Sequence, residues 1–342
     1  MKQKALRILT YLFMLIALCS GETITIIDFT GHHVEISAPV NRTVSLSGAA
    51  SEILWALDGG KSLVGRSASS NFPPLLENVT VAGKHSNSLD LEMIMELKPE
   101  LVVADTMLSD EDRRVLEEDG IAVVVERFID PYKILLIIEN LGRALGNEER
   151  AGELSSQLSD YQDLIKKRTC SLNAEERPTV FFEWMGKPYH SASNGTSYDS
   201  FISFAGGVNI AANESIKYPD VSPEWVIEKD PDIILHILGS SKDYSEAELE
   251  VWRDEIMSRP ELQNLRAVRE GRVYVLSGTV ATGVRSTIGE LYLAKWFYPQ
   301  LFEDIDPEAE HEKLIERFYD MKLQGAYAFP THPTKAVLEE IK

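Results

Sequence analysis

The sequence predicts an α/β protein of two similar halves, each with a mainly parallel sheet, joined by one long α-helix. Three observations carry that expectation. Short apolar runs of strand character alternate with helical segments, as in RTVSLS, SEILWALDGG and LVGRS, and such alternation implies a mainly parallel sheet covered by helices on both faces. The middle of the chain, from Asp130 to Lys167, carries no strand pattern at all. The stretch LEMIMELKPELVV, Leu91 to Val103, is echoed far downstream by PEWVIEKDPDIIL, Pro223 to Leu235. With 342 residues, 44% of them hydrophobic and 26% charged, the chain is long enough for two cores, because single cores stop growing near about 250 residues.

Residues 1–19 stand apart from both halves. Lys2, Lys4 and Arg7 precede an apolar run, Ile8 to Leu18, which is shorter than the roughly 20 residues of a bilayer span and fits an export signal. A retained anchor helix is the alternative. Cys19 follows Ile-Ala-Leu, which resembles a lipobox except that Leu18 stands where that pattern uses a small residue, so Cys19 is a candidate for lipid attachment. If Cys19 is lipidated or lost, Cys170 has no partner for an intrachain disulfide. Four N-x-[S/T] sequons, at Asn41, Asn78, Asn194 and Asn213, suit a secreted surface protein, although one or two such matches arise by chance. The formal net charge is -20; losing the three basic leader residues makes the remainder more acidic still, and that field excludes a nucleic-acid partner.

The elements follow in order. TITIIDF and HHVEI flank Thr30-Gly31 and read as a hairpin. RTVSLS reads as a buried strand, SEILWALDGG as a helix closed by Gly59, and LVGRS, LVVAD and IAVVVE as further strands. Asp130 and Pro131 suit the cap and first position of a helix ended by Gly142, Gly146 and Asn147. From Glu148 a second helix carries Ala151, Leu154, Leu158, Tyr161 and Leu164 on one face, and its roughly twenty residues span about 30 Å. PTVFFEW then opens the second half as a strand, SYDSFISFAGGVNIA gives a helix ending at Gly206-Gly207, and LHIL and RVYVLS are strands. The expected organisation is an export signal over 1–19, an N-terminal lobe over 24–146, a linking helix over 147–170 and a C-terminal lobe over 171–342. Strand, helix, Gly-Gly, strand, glutamate helix and strand recur in both halves, as a duplication or as a coincidence of generic β/α units.

Within each echo a glutamate, Glu92 or Glu224, follows an N-cap, Asp90 or Ser222, and precedes a proline by seven residues, Pro99 or Pro231. A negative charge there favours the positive end of the helix by about 0.3–1 kcal/mol, which suffices to explain either glutamate singly. The segments SLSGAASEILWALDGGKSLVG, SLDLEMIMELKPELVVA, SYDSFISFAGGVNIA and VSPEWVIEKDPDIIL resemble, in matching order along nearly the whole exported chain, those of the iron-chelate and cobalamin substrate-binding proteins of ABC importers. That resemblance implies two Rossmann-like lobes joined by one long helix, a ligand in the cleft between them, a monomer without a resident cofactor, and a glutamate on each lobe that docks onto arginines of a dimeric membrane permease. The matching positions are Glu92 and Glu224. Two widely separated carboxylate to guanidinium contacts set orientation as well as attraction. Glu52, in SEIL, also matches a recurrent family position, as part of the same face or as a helix cap.

Ligand groups are expected in loops at the carboxyl ends of the strands. The candidates are Arg66, His85, Trp184, Tyr189, Tyr198 and Arg285: aromatics to stack on a planar chelate and arginines to neutralise an anionic one. The structural alternatives are helix packing for Tyr198, core for Trp184 and solvated ion pairs for Arg66 and Arg285. Where the cobalamin branch places aromatics in the first-lobe loops, this chain has Ser69 and Ser86 with Phe72 nearby, so an iron chelate (siderophore, citrate-like or haem) is the first expectation and a corrinoid the second. Enzyme motifs are missing: there is no G-x-S-x-G or H-E-x-x-H, and the GGKS run at Gly59 lacks the earlier glycine of a phosphate loop, Trp55 standing there. His85, His190 and His236 show no close spacing for a bare metal. A structural surface protein that binds no small molecule is the remaining rival.

Overall fold

The computed structural model describes residues 21–332 apart from 185 and 241, so the expected export signal and Cys19 lie outside the described residues. Strands β1 (Glu22–Ile27) and β2 (His33–Ala38) form the expected antiparallel hairpin, with alternate residues buried. Asp28 pins its turn: the carboxylate accepts from the Thr30 and His32 backbone N–H groups at 3.0 Å and from Arg113 at 2.8 Å.

The N-terminal half then runs through β3 (Thr43–Ser45), α1 (Gly48–Ala56), β4 (Leu63–Arg66), β5 (Thr80–Val81) and a small hairpin, β6 (Gly83–His85) with β7 (Ser88–Leu89). It continues through α2 (Leu91–Leu97), β8 (Leu101–Asp105), α3 (Asp110–Glu118) and β9 (Ala122–Glu126). Its five-stranded sheet is parallel throughout, in the order β5-β4-β3-β8-β9. Helices α4 (Ile134–Leu145) and α5 (Glu148–Thr169) follow.

The second half consists of β10 (Thr179–Trp184), α6 (Ser197–Phe204), β11 (Val208–Asn209), α7 (Pro223–Lys229), β12 (Ile233–Ile237), α8 (Glu246–Met257) and α9 (Arg266–Arg269). It closes with β13 (Val273–Leu276), α10 (Ser286–Phe297), α11 (Pro307–Tyr319) and β14 (Ala328–Phe329). Its sheet order is β11-β10-β12-β13-β14, and only β14 runs antiparallel. In the first sheet β3, β4 and β5 run in order to one side and β8 and β9 lie on the other, whereas in the second β10 and β11 exchange places and β12 to β14 follow on the other side of β10. The order therefore reverses direction between β3 and β8 and again between β10 and β12, and ligands of such sheets bind outside the carboxyl ends of the strands at that point.

The glutamate helices repeat in detail. Both α2 and α7 have seven residues, an N-cap side chain accepting from the third helical N–H, and a left-handed C-cap, Lys98 with φ 46° and Asp230 with φ 39°. The prolines that follow bar any continuation, and a buried strand begins two residues later in each case.

Three local expectations are corrected. The left-handed residue after α1 is Asp58, with φ 59°. Gly59 instead permits close packing, since a Cβ there would lie 2.7 Å from the Leu54 carbonyl oxygen and from a Leu145 methyl. Helix α4 begins at Ile134, not Pro131, because Asp130 caps a turn in which the Lys133 and Ile134 N–H groups both donate to its carbonyl. On α5 the buried stripe is Ala151, Leu154, Ser155, Leu158, Gln162, Ile165 and Thr169. Leu164 is only half-buried, since from Leu158 the 3.6-residue period falls on Gln162 and Ile165.

Helix α5 touches both halves: Gln162 donates to the Pro131 carbonyl at 2.9 Å, and Tyr161 donates to Glu310 of α11 at 2.7 Å. It turns back against α4 through Gly146, φ 70°, whose neighbour Asn147 donates its N–H to the Gly142 carbonyl. At the crossing a Cβ on Gly142 would lie 2.3 Å from that of Ala151, so this glycine sets the spacing of the two helices. Gly142→Ala is expected to lower stability by about 1–3 kcal/mol through overpacking, read as a lower midpoint in urea unfolding, with Gly142→Ala/Ala151→Gly recovering part of the loss.

Candidate functional site

At the point where both sheets reverse order, a cavity of about 670 Å³ opens between the two halves. Its first wall comes from the carboxyl end of β3 and the start of α1 (Ser47 to Ala49), the loop carrying Phe72, His85 of β6, the end of β8 (Asp105 to Met107) and the end of β9 (Glu126 to Ile129). The opposite wall comes from Trp184 at the end of β10, the start of α6 through Tyr198, and Lys217 and Tyr218. Segments after β12 and β13, including Gly239 and Thr279 to Thr282, complete the lining.

The second wall is aromatic. Trp184 lies 5.8 Å from Tyr198 and 5.7 Å from Tyr218 between ring centres, and His190 stacks on both Trp184 and Tyr218 from outside the lining. Its support is a buried carboxylate one residue earlier on β10: Glu183 accepts both Arg259 terminal nitrogens at 2.7 and 2.8 Å and the Tyr189 N–H at 2.8 Å. Burial pushes the Glu183 carboxyl up, but the Arg259 hydrogen bonds and the nearby His236 outweigh it and hold the pKa at about 2. The ionised carboxylate thus anchors the loop that returns His190, whose carbonyl accepts from the Trp184 N–H at 2.8 Å.

The floor is charged and closed. Arg285, 3% exposed, donates to both oxygens of Glu52, 4% exposed, at 2.8 Å each. The guanidinium lies 4.3 Å from the centre of the Phe72 ring, and Tyr319 of α11 donates to the Glu52 carbonyl. Burial pushes the Glu52 carboxyl up and the Arg285 charge opposes it. A hydroxyl network behind the first wall joins Ser45, Ser51, Ser67 and Ser70 at 2.8 to 2.9 Å.

Of the six ligand candidates the structure brings four, His85, Trp184, Tyr198 and Arg285, to one cavity. Arg66 is not there: its guanidinium donates to the carbonyls of Leu76, Ser67 and Ser70 at 2.7 to 3.0 Å, which shapes the loop carrying Phe72. Tyr189 is also elsewhere, held with φ 61° against Arg259 and donating to Glu261. Arg285 is present but already neutralised by Glu52, and that pairing removes Glu52 from any exposed docking face. Glu92 and Glu224 are both exposed; helices that connect parallel strands run against them, so each glutamate lies toward the cleft edge of its sheet. Glu126 was missed, because a strand-end residue carries no periodicity to mark it. Among the described residues no group of three or more His, Cys, Asp or Glu is placed to hold a metal ion, and no helix is long and apolar enough to cross a membrane.

A family model described as periplasmic binding protein matches residues 43–279. The chain belongs to that family. It is 26% identical over 292 residues, 82% of this chain and 87% of the relative, to an ABC transporter substrate-binding lipoprotein of Bacillus subtilis. It is 28% identical over 210 residues, 59% of this chain and 72% of the relative, to a vitamin B12-binding protein of Photorhabdus laumondii. Among solved structures it is similar to the TroA-like periplasmic binding protein FepB of Veillonella parvula, with a TM-score of 0.75, 26% identity, and 90% of this chain and 99% of that one covered. The family is one of substrate-binding transport proteins.

Removing one member of the floor pair strands the other charge. Arg285→Met is expected to cost about 3–5 kcal/mol, measured by chemical denaturation, while the double substitution Glu52→Leu/Arg285→Met recovers most of that loss.

Proposed function

We propose that this periplasmic binding protein captures a planar metal chelate of the corrinoid class in the cleft and delivers it to the membrane permease of an ABC importer. The observation that carries this reading is the aromatic wall of Trp184, Tyr198 and Tyr218 facing Phe72 and Phe128 across the cavity. Flat rings of that kind cover a large, rigid, amphipathic ligand at low entropic cost. The arginine of the floor is paired with Glu52, so the cleft favours cargo of little net charge, such as a ring edged with neutral amides. The Photorhabdus relative is a vitamin B12-binding protein, which supports the same class.

An iron chelate is the second reading, favoured by Arg127, Lys217 and His85 in the lining, where cations can meet catecholate or carboxylate oxygens. Export with a lipid anchor at Cys19 goes with either, and the Bacillus relative is a lipoprotein. Glu92 and Glu224 are the proposed permease contacts. Their exposure and matched helical frames support a pair of guanidinium contacts on a symmetric partner.

Cyanocobalamin titrated into the protein is expected to bind with Kd of about 1 μM or tighter by calorimetry, with haem and a ferric catecholate as comparisons. Saturation by the ferric catecholate with no heat from cyanocobalamin selects the second reading. Trp184→Ala is expected to weaken corrinoid binding about tenfold, a loss of about 1.4 kcal/mol of stacking. In proteoliposomes holding the permease, Glu92→Ala/Glu224→Ala is expected to abolish stimulation of ATP hydrolysis while leaving cargo affinity within about twofold; full stimulation by that variant assigns the docking elsewhere.

A further inference from the structure

Glu126 ends β9 and borders the cavity, yet it is only 6% exposed. Among the described residues no hydrogen bond or ion pair reaches its carboxyl. Its strand alternates strictly: Val123 and Val125 pack into one cluster, while Val124 belongs to the cluster on the other face, and Glu126 points to the Val124 side. On β8 the same face carries Leu101, Val103 and, in register with Glu126, Asp105. A buried acid without a donor is costly when ionised and inexpensive when protonated.

We infer that Glu126 is a specificity-determining residue of the cleft that, in its acid form, donates a hydrogen bond to an acceptor oxygen of the cargo, so that capture is coupled to a proton. This deepens the reading of the cleft as a chelate site and rests on it. The charged groups around Glu126 come from each element packed there. Asp28 stands at the tip of the β1–β2 hairpin, compensated by Arg113 at 2.8 Å. Lys133 precedes α4, and Asp105 with His85 lies on the same wall. Arg127 is next in the chain, and its guanidinium lies 4.1 Å over the Phe29 ring.

Burial and the Asp28 charge push the Glu126 carboxyl up to about 7, with Lys133 pulling the other way. Near neutrality the group therefore holds its proton about half the time, and the state the wall stabilises is a donor. The partner it fits is a carbonyl oxygen, such as a peripheral amide of a corrinoid. An anionic oxygen meets it favourably only while the proton is present. Because the binding-competent form is the acid, apparent affinity follows the protonated fraction: it is full well below pH 7 and falls as pH rises through that value.

The test is calorimetric titration of cyanocobalamin into the full protein at a series of pH values, in buffers of different ionisation enthalpy. Wild type is expected to lose about tenfold in affinity between about pH 6 and about pH 8 and to take up protons on binding. Glu126→Gln, which keeps a donor at all pH values, is expected to bind without pH dependence or proton uptake; Glu126→Ala is expected to bind weakly throughout. Asp105→Asn is expected to keep the wild-type slope, which separates the two carboxyls. A flat wild-type profile, or an unchanged slope in Glu126→Gln, overturns the assignment of Glu126 alone. No heat from cyanocobalamin, haem or ferric catecholate at any pH overturns the chelate-site reading and this inference with it.

Discussion

The geometry of the cleft turns on a guanidinium and a carboxylate buried together beneath it. Arg285, just before α10, and Glu52, in the middle of α1, belong to different halves of the chain and meet through two parallel hydrogen bonds. Removing two charges from water costs several kcal/mol each, and only near-ideal geometry offsets that. The surroundings supply part of it, with the Arg285 Nη1 left without a hydrogen-bond partner among the described residues: Phe72 covers the guanidinium, Tyr319 holds the Glu52 backbone carbonyl, and the Gly283 N–H donates to the Phe128 carbonyl across the same seam. Gly283 has φ 63° and lies 3.3 Å, measured from a would-be Cβ, from Ala49, so a side chain there would push α1 away. The apolar cluster is continuous beneath this seam, from Ile53 and Leu54 to Ile288 and Leu291. The two halves are joined along their floor and separate only above it.

Above the floor the walls differ in kind, although both sheets reverse strand order after the first strand of the half. At the end of β10 the chain places Trp184 and gathers Tyr198 and Tyr218 around it; at the ends of β8 and β9 it places Asp105 and Glu126. The repeated plan fixes where each strand ends, while the residue at that end is free to change, because strand ends contribute little to either core. Two similar sheets thereby carry an asymmetric site. The same reasoning explains why the glutamate helices stayed alike: an N-cap, a left-handed stop and a proline are local requirements of a seven-residue helix, and both halves meet them with equivalent residues.

Much of this was legible in the residues. The strands, the long helix and the echo depend on periodicity and on capping chemistry, which are local and survive translation into structure. The limits are equally physical. Gly59 was read as a helix stop, but its use is close approach to Leu145, a contact between residues far apart in the chain. Arg66 and Arg285 look alike in sequence; one clamps three carbonyls of its own loop and the other meets Glu52 from the opposite half. Which partner an arginine finds is decided by tertiary placement. Tyr189 has positive φ and its ring lies against Phe181 and Arg259, a placement that no pattern of neighbouring residues announced. Glu126 closes an apolar run, AVVVE, and nothing in the run marks it until the Asp28 hairpin and the cavity wall are placed around it.

A floor fastened in this way limits how the cleft can discriminate. Helix α5, with 22 residues, spans about 33 Å and is bonded to both halves through Gln162 and Tyr161. Groups held in position beforehand bind cargo at a lower ordering cost. That is the condition of the serine hydroxyls fixed behind the first wall and of Trp184, held between its own support at Glu183 and the stacked ring of His190. Selectivity then falls to surface chemistry at fixed separation, aromatic faces on one side and acids on the other. In such a cleft a single proton alters which atoms of a bound ring find a partner.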